Sequence, residues 1–106
     1  GAMSAVYFIA THDITDPHRY EHEYVPAVTR TLAAAGGDVV VATGRARTIE
    51  GVAPNHTVVV RFPSEQAFRD WYDSEDYAAI RAIRSAATTN GSAVLADEFP
   101  AMPSTR

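Results

Sequence analysis

Thr57–Phe62 (TVVVRF) and Ala5–Ile14 (AVYFIATHDI) are the two stretches that decide the fold. Successive residues of a strand point to opposite faces of its sheet. A sheet with one face in water therefore alternates apolar and polar residues. Neither stretch does so. Val58 and Val60 point one way and Val59 the other; Val6, Phe8 and Ala10 oppose Tyr7 and Ile9. Both strands are apolar on both faces, so both faces need a cover.

Working outward, Asp16-Pro17 marks a helix start, Asp capping free N–H groups and Pro fitting the first position. Tyr20, Tyr24, Val28, Leu32 and Ala35 share one face of that helix. Pro26 lies inside it and is expected to kink it, and Gly36-Gly37 ends it. Val39 to Ile49 reads as the second strand, with Gly44 as a bend, and 51–55 as a turn. Pro63-Ser64 opens a second helical region in which Phe68, Trp71 and Tyr72 share a face. Ser74 caps a fresh helix through Tyr77, Ile80, Ile83 and Ala87. Asn90-Gly91 reads as a turn and Ala93 to Ala96 as a short last strand.

The order β-α-β-β-α-β gives an α+β, ferredoxin-like chain with a four-stranded antiparallel sheet. Right-handed crossovers put the first and third strands in the middle. Two helices cover one face only. The economical cover for the other is the sheet of a second copy, which makes a homodimer through sheet faces, a dimeric α/β barrel.

Length and composition agree with one domain: 106 residues, 46% apolar, 21% charged. Residues 4–99 are read as that domain, 1–3 as a tag remnant plus the start Met, and 100–106 as a loose tail or one lying along a neighbour. The formal charge is −4, and all nine Lys/Arg positions are Arg with no basic cluster, which argues against nucleic acid and anionic membrane as partners. The absence of cysteine excludes disulfides, thiol catalysis and Cys-based zinc sites. No long apolar run or signal peptide is visible, and a cytoplasmic location is expected.

The chain resembles the family catalogued as domain of unknown function 1330, within the dimeric α/β-barrel superfamily. The residues that carry the resemblance run through most of it: Thr15-Asp16-Pro17 with Tyr20 and Tyr24, Gly36-Gly37, and Ile49-Glu50-Gly51. They continue with Phe62-Pro63-Ser64, Trp71-Tyr72 with Ser74, Glu75 and Tyr77, and Arg84. The resemblance implies the fold and the dimer. The wider superfamily is similar to cofactor-independent monooxygenases, muconolactone-type isomerases, polyketide cyclases and stress-responsive domains, whose pockets lie between sheet and helices. The chain departs from the family pattern at Ala42-Thr43-Gly44 with Arg45, at Arg61, and at His12.

Candidate chemistry gathers at the end of the first strand. His12 and Asp13 are candidates for proton transfer, with Arg45 or Arg61 holding an anion. The plainer alternative is a polar strand end, since adjacent strand residues cannot both face one pocket without a bend. Tyr20, Tyr24, Trp71 and Tyr72 line a substrate pocket or simply pack in the core. Arg61 interrupts an apolar strand and either binds substrate or pairs with an acid across the dimer interface. Arg84 is a further substrate-binding candidate; it alternatively pairs with Glu75 or Asp76, or reaches the partner chain. His18-Arg19-Tyr20-Glu21-His22 matches an inverted zinc-protease spacing, but its two imidazoles fall on the helix face opposite Tyr20 and Tyr24 and no third ligand is evident, so no metal site is assigned. No P-loop, G-x-S-x-G or dinucleotide fingerprint is present, and no cofactor is expected. The expected function is cofactor-free isomerase, cyclase or lyase chemistry on a small molecule. Its rivals are a non-catalytic metabolite-binding or stress-related dimer and a structural dimer.

Overall fold

The computed structural model describes residues 4–100. The tag remnant and start Met, and the tail from residue 101 onward, lie outside the described residues. The elements are β1 (Val6–Ile14), α1 (Pro17–Arg19), a π-helical segment (Tyr20–Tyr24), α2 (Val25–Ala35), β2 (Asp38–Thr43), β3 (His56–Phe62), α3 (Glu65–Tyr72), α4 (Glu75–Ala87) and β4 (Thr88–Asp97). The four strands form an antiparallel sheet in the order β2-β3-β1-β4, so the two-sided apolar strands β1 and β3 are central.

The first helical rod starts where Asp16 accepts the Arg19 N–H at 3.1 Å. Pro26 is accommodated by a wider turn just before it: the Val25 N–H reaches back five residues to the Tyr20 carbonyl. The proline then sits in the first turn of α2, where its missing N–H is least costly. The same wide turn keeps Tyr20 and Tyr24 both buried. Gly36, at φ +81°, ends α2 in the left-handed conformation that glycine tolerates. Ser64 caps α3 through the Ala67 N–H and Ser74 caps α4 through the Tyr77 N–H, each at 3.1 Å.

Two boundaries differ from the sequence reading. The second strand stops at Thr43 rather than Ile49, because its last pairing is Thr43 with Thr57, at the start of β3, and residues beyond have no strand to bond. The last strand is ten residues long and begins directly after α4. Asn90-Gly91 lies inside it: Asn90, at φ 54°, takes the expected turn-like conformation within a bulge opposite Thr11–Asp13. The nine-residue β1 offers a bonding edge to the whole segment, and that long-range pairing overrides the local turn preference.

The register β1–β3 pairs Val6 with Phe62, Phe8 with Val60, Ala10 with Val58 and His12 with His56. Their side chains face the helices. Phe8, Val60 and Phe62 meet Leu32, Phe68, Trp71 and Tyr77 in one buried cluster. Its rings pack tilted and edge-on, as Phe8 with Trp71 at 5.8 Å and Phe62 with Phe68 at 5.5 Å.

On the face without helices, Val41, Val59, Ile9 and Val94 are successive cross-strand neighbours and form one apolar row across all four strands. Val41 is 38% exposed and Val94 55%. One flanking row is Thr43, Thr57, Thr11 and Ser92.

Candidate functional site

A chamber of about 430 Å³ lies between the sheet and the first helical rod. Its floor is Phe8, Ala10, His12, His56, Val58 and Val60, which the two-residue alternation of β1 and β3 directs to one face. Its roof is Tyr20, Tyr24, Val28 and Leu32, with Trp71 and Arg84 closing it from the second helical region. Such an apolar cleft with a few convergent polar groups is the usual form of a small-molecule site.

The polar groups fall into two linked sets. His12 is 3% exposed; its Nε2 lies 3.0 Å from the Tyr20 hydroxyl, and its ring stacks on His56 at 5.2 Å. Burial lowers the His12 pKa to about 4, with the neighbouring His56 and Arg84 charges adding to the effect. Burial also lowers that of His56. Both imidazoles are therefore neutral at pH 7. In the second set the Tyr24 and Tyr77 hydroxyls are 3.1 Å apart, and Arg84 Nη1 donates to Tyr77 Oη at 3.2 Å. Burial pushes the Tyr20 phenol up to about 12 and raises those of Tyr24 and Tyr77, so all three keep their protons. The Trp71 indole donates to Thr31 Oγ1 at 3.0 Å. Among the described residues no buried side-chain polar atom lacks a hydrogen-bond partner.

Of the residues singled out in the sequence, His12, Tyr20, Tyr24, Trp71 and Arg84 border this chamber. Asp13 and Arg61 are on the opposite sheet face, one step out of alternation with His12 and Val60. Asp13 accepts the Asn55 N–H at 3.1 Å and Asn90 Nδ2–H at 3.0 Å, and these bonds hold its carboxyl below the usual range. It ties a loop end to the β4 bulge. Arg61 pairs with Glu98 of its own chain at 3.3 Å, and Tyr7 donates to the same carboxylate at 2.8 Å. The acid expected across an interface is thus supplied within the chain.

Arg45 is exposed in the loop after β2, because that strand ends two residues earlier; of the Ala42–Arg45 run, Ala42 and Gly44 border the chamber and Arg45 does not. Tyr72 packs on Phe68 at 5.3 Å, with Arg81 over its ring at 4.8 Å, outside the chamber lining. Arg84 takes Tyr77 as its partner rather than Glu75 or Asp76. His18 and His22 are exposed with rings 4.6 Å apart, and among the described residues no group of three candidate metal ligands exists.

His56 and Tyr77 shape the site without having been singled out for it. His56 was legible from alternation alone, two steps before Val58 and four before Val60. Tyr77 carries no such signal, since its hydroxyl matters only through Arg84 and Tyr24 from other parts of the chain.

The fold and this cleft define a ferredoxin-like α+β protein with a cleft between its sheet and its helices. The chain belongs to the family described as Domain of unknown function (DUF1330), whose model matches residues 5–99. No curated protein matches it in sequence. Among solved structures it is similar to a protein of unknown function from Rhodopseudomonas palustris, with a TM-score of 0.78 and 14% identity over 93% of this chain and 85% of that one. It is also similar to a dimeric ferredoxin-like protein of unknown function from Thermobifida fusca (TM-score 0.64, 20% identity, 90% and 92% covered). A third is SnoaB, a cofactor-independent oxygenase from Streptomyces nogalater (TM-score 0.60, 17% identity, 96% and 97% covered). At these identities the likeness is one of fold. Among the described residues no helix is long and apolar enough to cross a membrane.

Proposed function

We propose that the protein is a homodimeric, cofactor-independent enzyme that moves a proton on a small, largely apolar molecule held in the chamber, chemistry of the isomerase, cyclase or lyase type. The observation that carries this is a buried, neutral imidazole at the edge of an apolar cleft, with a guanidinium as its electrostatic neighbour. In the proposed step the substrate's C–H or O–H bond breaks, the imidazole of His12 gains the proton, and the electron pair stays on the substrate as an enolate or phenolate. Two changes offset each other. The imidazolium is disfavoured by burial and by Arg84, while the new anion is favoured by both cations. Tyr20 holds the ring in place through its hydrogen bond. The description of SnoaB as a cofactor-independent oxygenase supports cofactor-free chemistry on this scaffold by analogy of fold.

The homodimer rests on the row Val41-Val59-Ile9-Val94, whose open side faces water in a single subunit. A second copy of the same sheet matches it in length and chemistry by two-fold symmetry. The Thermobifida fusca protein is described as dimeric, which agrees with this reading.

The test is deuterium uptake into a panel of phenols and β-dicarbonyl compounds, followed by mass spectrometry. His12→Gln is expected to slow exchange on the accepted compound by about 10²-fold or more. Unchanged exchange in that variant would remove the imidazole from the mechanism. A second reading, ligand binding without turnover, is favoured by the depressed pKa itself, since an imidazole near 4 is a weak base. It predicts compounds that bind but exchange no faster than in buffer.

A further inference from the structure

Arg84 stands at the common wall of two cavities. Besides the chamber it borders a second cavity of about 320 Å³ between α4 and β4, and the two share Ala10, His12 and Arg84. The second space is bordered by Ser85, Thr88, Thr89 and Ser92; the Thr88 hydroxyl donates to the Arg84 carbonyl and the Ser92 hydroxyl is shared with Thr11. A guanidinium presents five N–H donors in a planar fork. Here the acceptors it meets are the phenols of Tyr77 and Tyr24. Among the described residues no carboxylate pairs with it; the ion pairs are Arg19 with Glu23, Arg61 with Glu98 and Arg69 with Glu65. Among the described residues Glu21 is the one acid that borders the chamber, and it is exposed on the π-helical segment. A half-buried cation whose hydrogen-bond partners are neutral phenols keeps donor capacity for an anion.

We propose that the physiological ligand is an organic anion, with a planar apolar body in the chamber and a carboxylate or other delocalised oxygen anion set against the Arg84 fork. This names the substrate class of the site described under Proposed function and rests on the reading of that chamber as the ligand site. The fork matches such an anion with two parallel hydrogen bonds, which a neutral carbonyl cannot use equally. The apolar floor of Phe8, Val58 and Val60 and the tyrosine roof suit a flat ring system. The cavity on the other side of Arg84 leaves room for a substituent carried next to the anionic group.

The test is calorimetric binding of naphthoate and its neutral amide, naphthamide, to the full chain. Neither probe has an acidic C–H, so binding is read without turnover. Naphthoate is expected to bind roughly tenfold or more tightly than naphthamide, the size of a hydrogen bond to a charged group. Arg84→Gln is expected to erase that preference by weakening naphthoate while leaving naphthamide within about twofold, and Arg84→Lys to keep part of it. Equal affinities in the unaltered chain, a preference that survives Arg84→Gln, or binding of neither probe at millimolar concentration each overturns the proposal. Where Arg84→Gln does not fold, the probe pair on the unaltered chain decides, together with weakening of naphthoate by salt. An anion preference alongside exchange indifferent to His12→Gln would leave this inference standing and remove the proton-transfer reading. The reverse pattern would do the opposite.

Discussion

The Nε2 of His12 and the hydroxyl of Tyr20 lie 3.0 Å apart, joining the end of β1 to the wide helical turn eight residues later. That bond makes the imidazole part of the core as well as part of the chamber wall, so its protonation couples the site to stability.

Acid is expected to destabilise the protein through this pair. The folded-state pKa of His12 is about 4 against 6.5 in the free side chain, and that of His56 is also lowered. Between those values the unfolded chain binds more protons than the folded one. The stabilisation is therefore complete above about pH 6.5 and is lost as pH falls toward 4. Urea unfolding at pH 7.5 and 4.5 is expected to differ by roughly 2 kcal/mol from this source, a value discounted because the ring borders a cavity. In His12→Gln the slope across that interval flattens. An equally steep profile in the variant would place the acid sensitivity elsewhere.

The bond between the Tyr24 and Tyr77 hydroxyls, with Arg84 on Tyr77, predicts coupling. Tyr24→Phe leaves one buried hydroxyl short of a partner, as does Tyr77→Phe, and each is expected to cost about 1–2 kcal/mol. The double variant removes both hydroxyls together, so its cost falls below the sum of the two. Chemical denaturation of the four proteins measures the coupling. Strict additivity would show that the two phenols do not interact in solution.

Much of this arrangement is legible in the sequence, and the reasons are local. Val58-Val59-Val60 announces a strand covered on both faces, and Asp16, Ser64 and Ser74 announce helix starts, because capping is settled within a few residues. His12, Tyr20, Tyr24 and Trp71 converge because strand and helix periodicity already fix their faces. What local pattern does not settle is where pairing ends. Residues 44–49 have strand character but find no partner beyond Thr57, which carries Arg45 out into the exposed loop. Asn90-Gly91 has turn character but is held in β4 by β1. Asp13 and Arg61 are close in sequence to chamber residues, yet alternation turns them to the other face.

Trp71 is the chain's single tryptophan and borders the chamber, which makes its fluorescence a report on occupancy. Its indole N–H donates to Thr31 and its ring lies 4.0 Å from that of Tyr77. The ring is already buried, so a ligand that fills the chamber changes its emission intensity through contact with the indole rather than by removing water. The change is expected to saturate with the same affinity as calorimetric binding. Thr31→Val leaves the indole N–H unpaired and is expected to cost about 1 kcal/mol while preserving the response. Binding without any change in emission would place the ligand in another cavity.

The last expectation concerns the uncovered sheet face. Ile9 is central in the row Val41-Val59-Ile9-Val94, with Val59 on one side and Val94 on the other. If a second copy covers that row, a charge at its centre has to be desolvated in the dimer but reaches water in a lone subunit. Ile9→Lys is therefore expected to shift sedimentation toward the monomer, weakening association by several kcal/mol. The helix-facing core cluster, from Phe8 to Tyr77, is left intact by that change, so secondary structure by circular dichroism is retained even as stability falls. Thr11 or Thr57 replaced by Lys lies in the hydroxyl row beside it and perturbs association less, because a long side chain there can carry its charge toward the edge. Unchanged sedimentation in Ile9→Lys, or a monomer already present in the unaltered chain at micromolar concentration, would leave the row without its proposed cover.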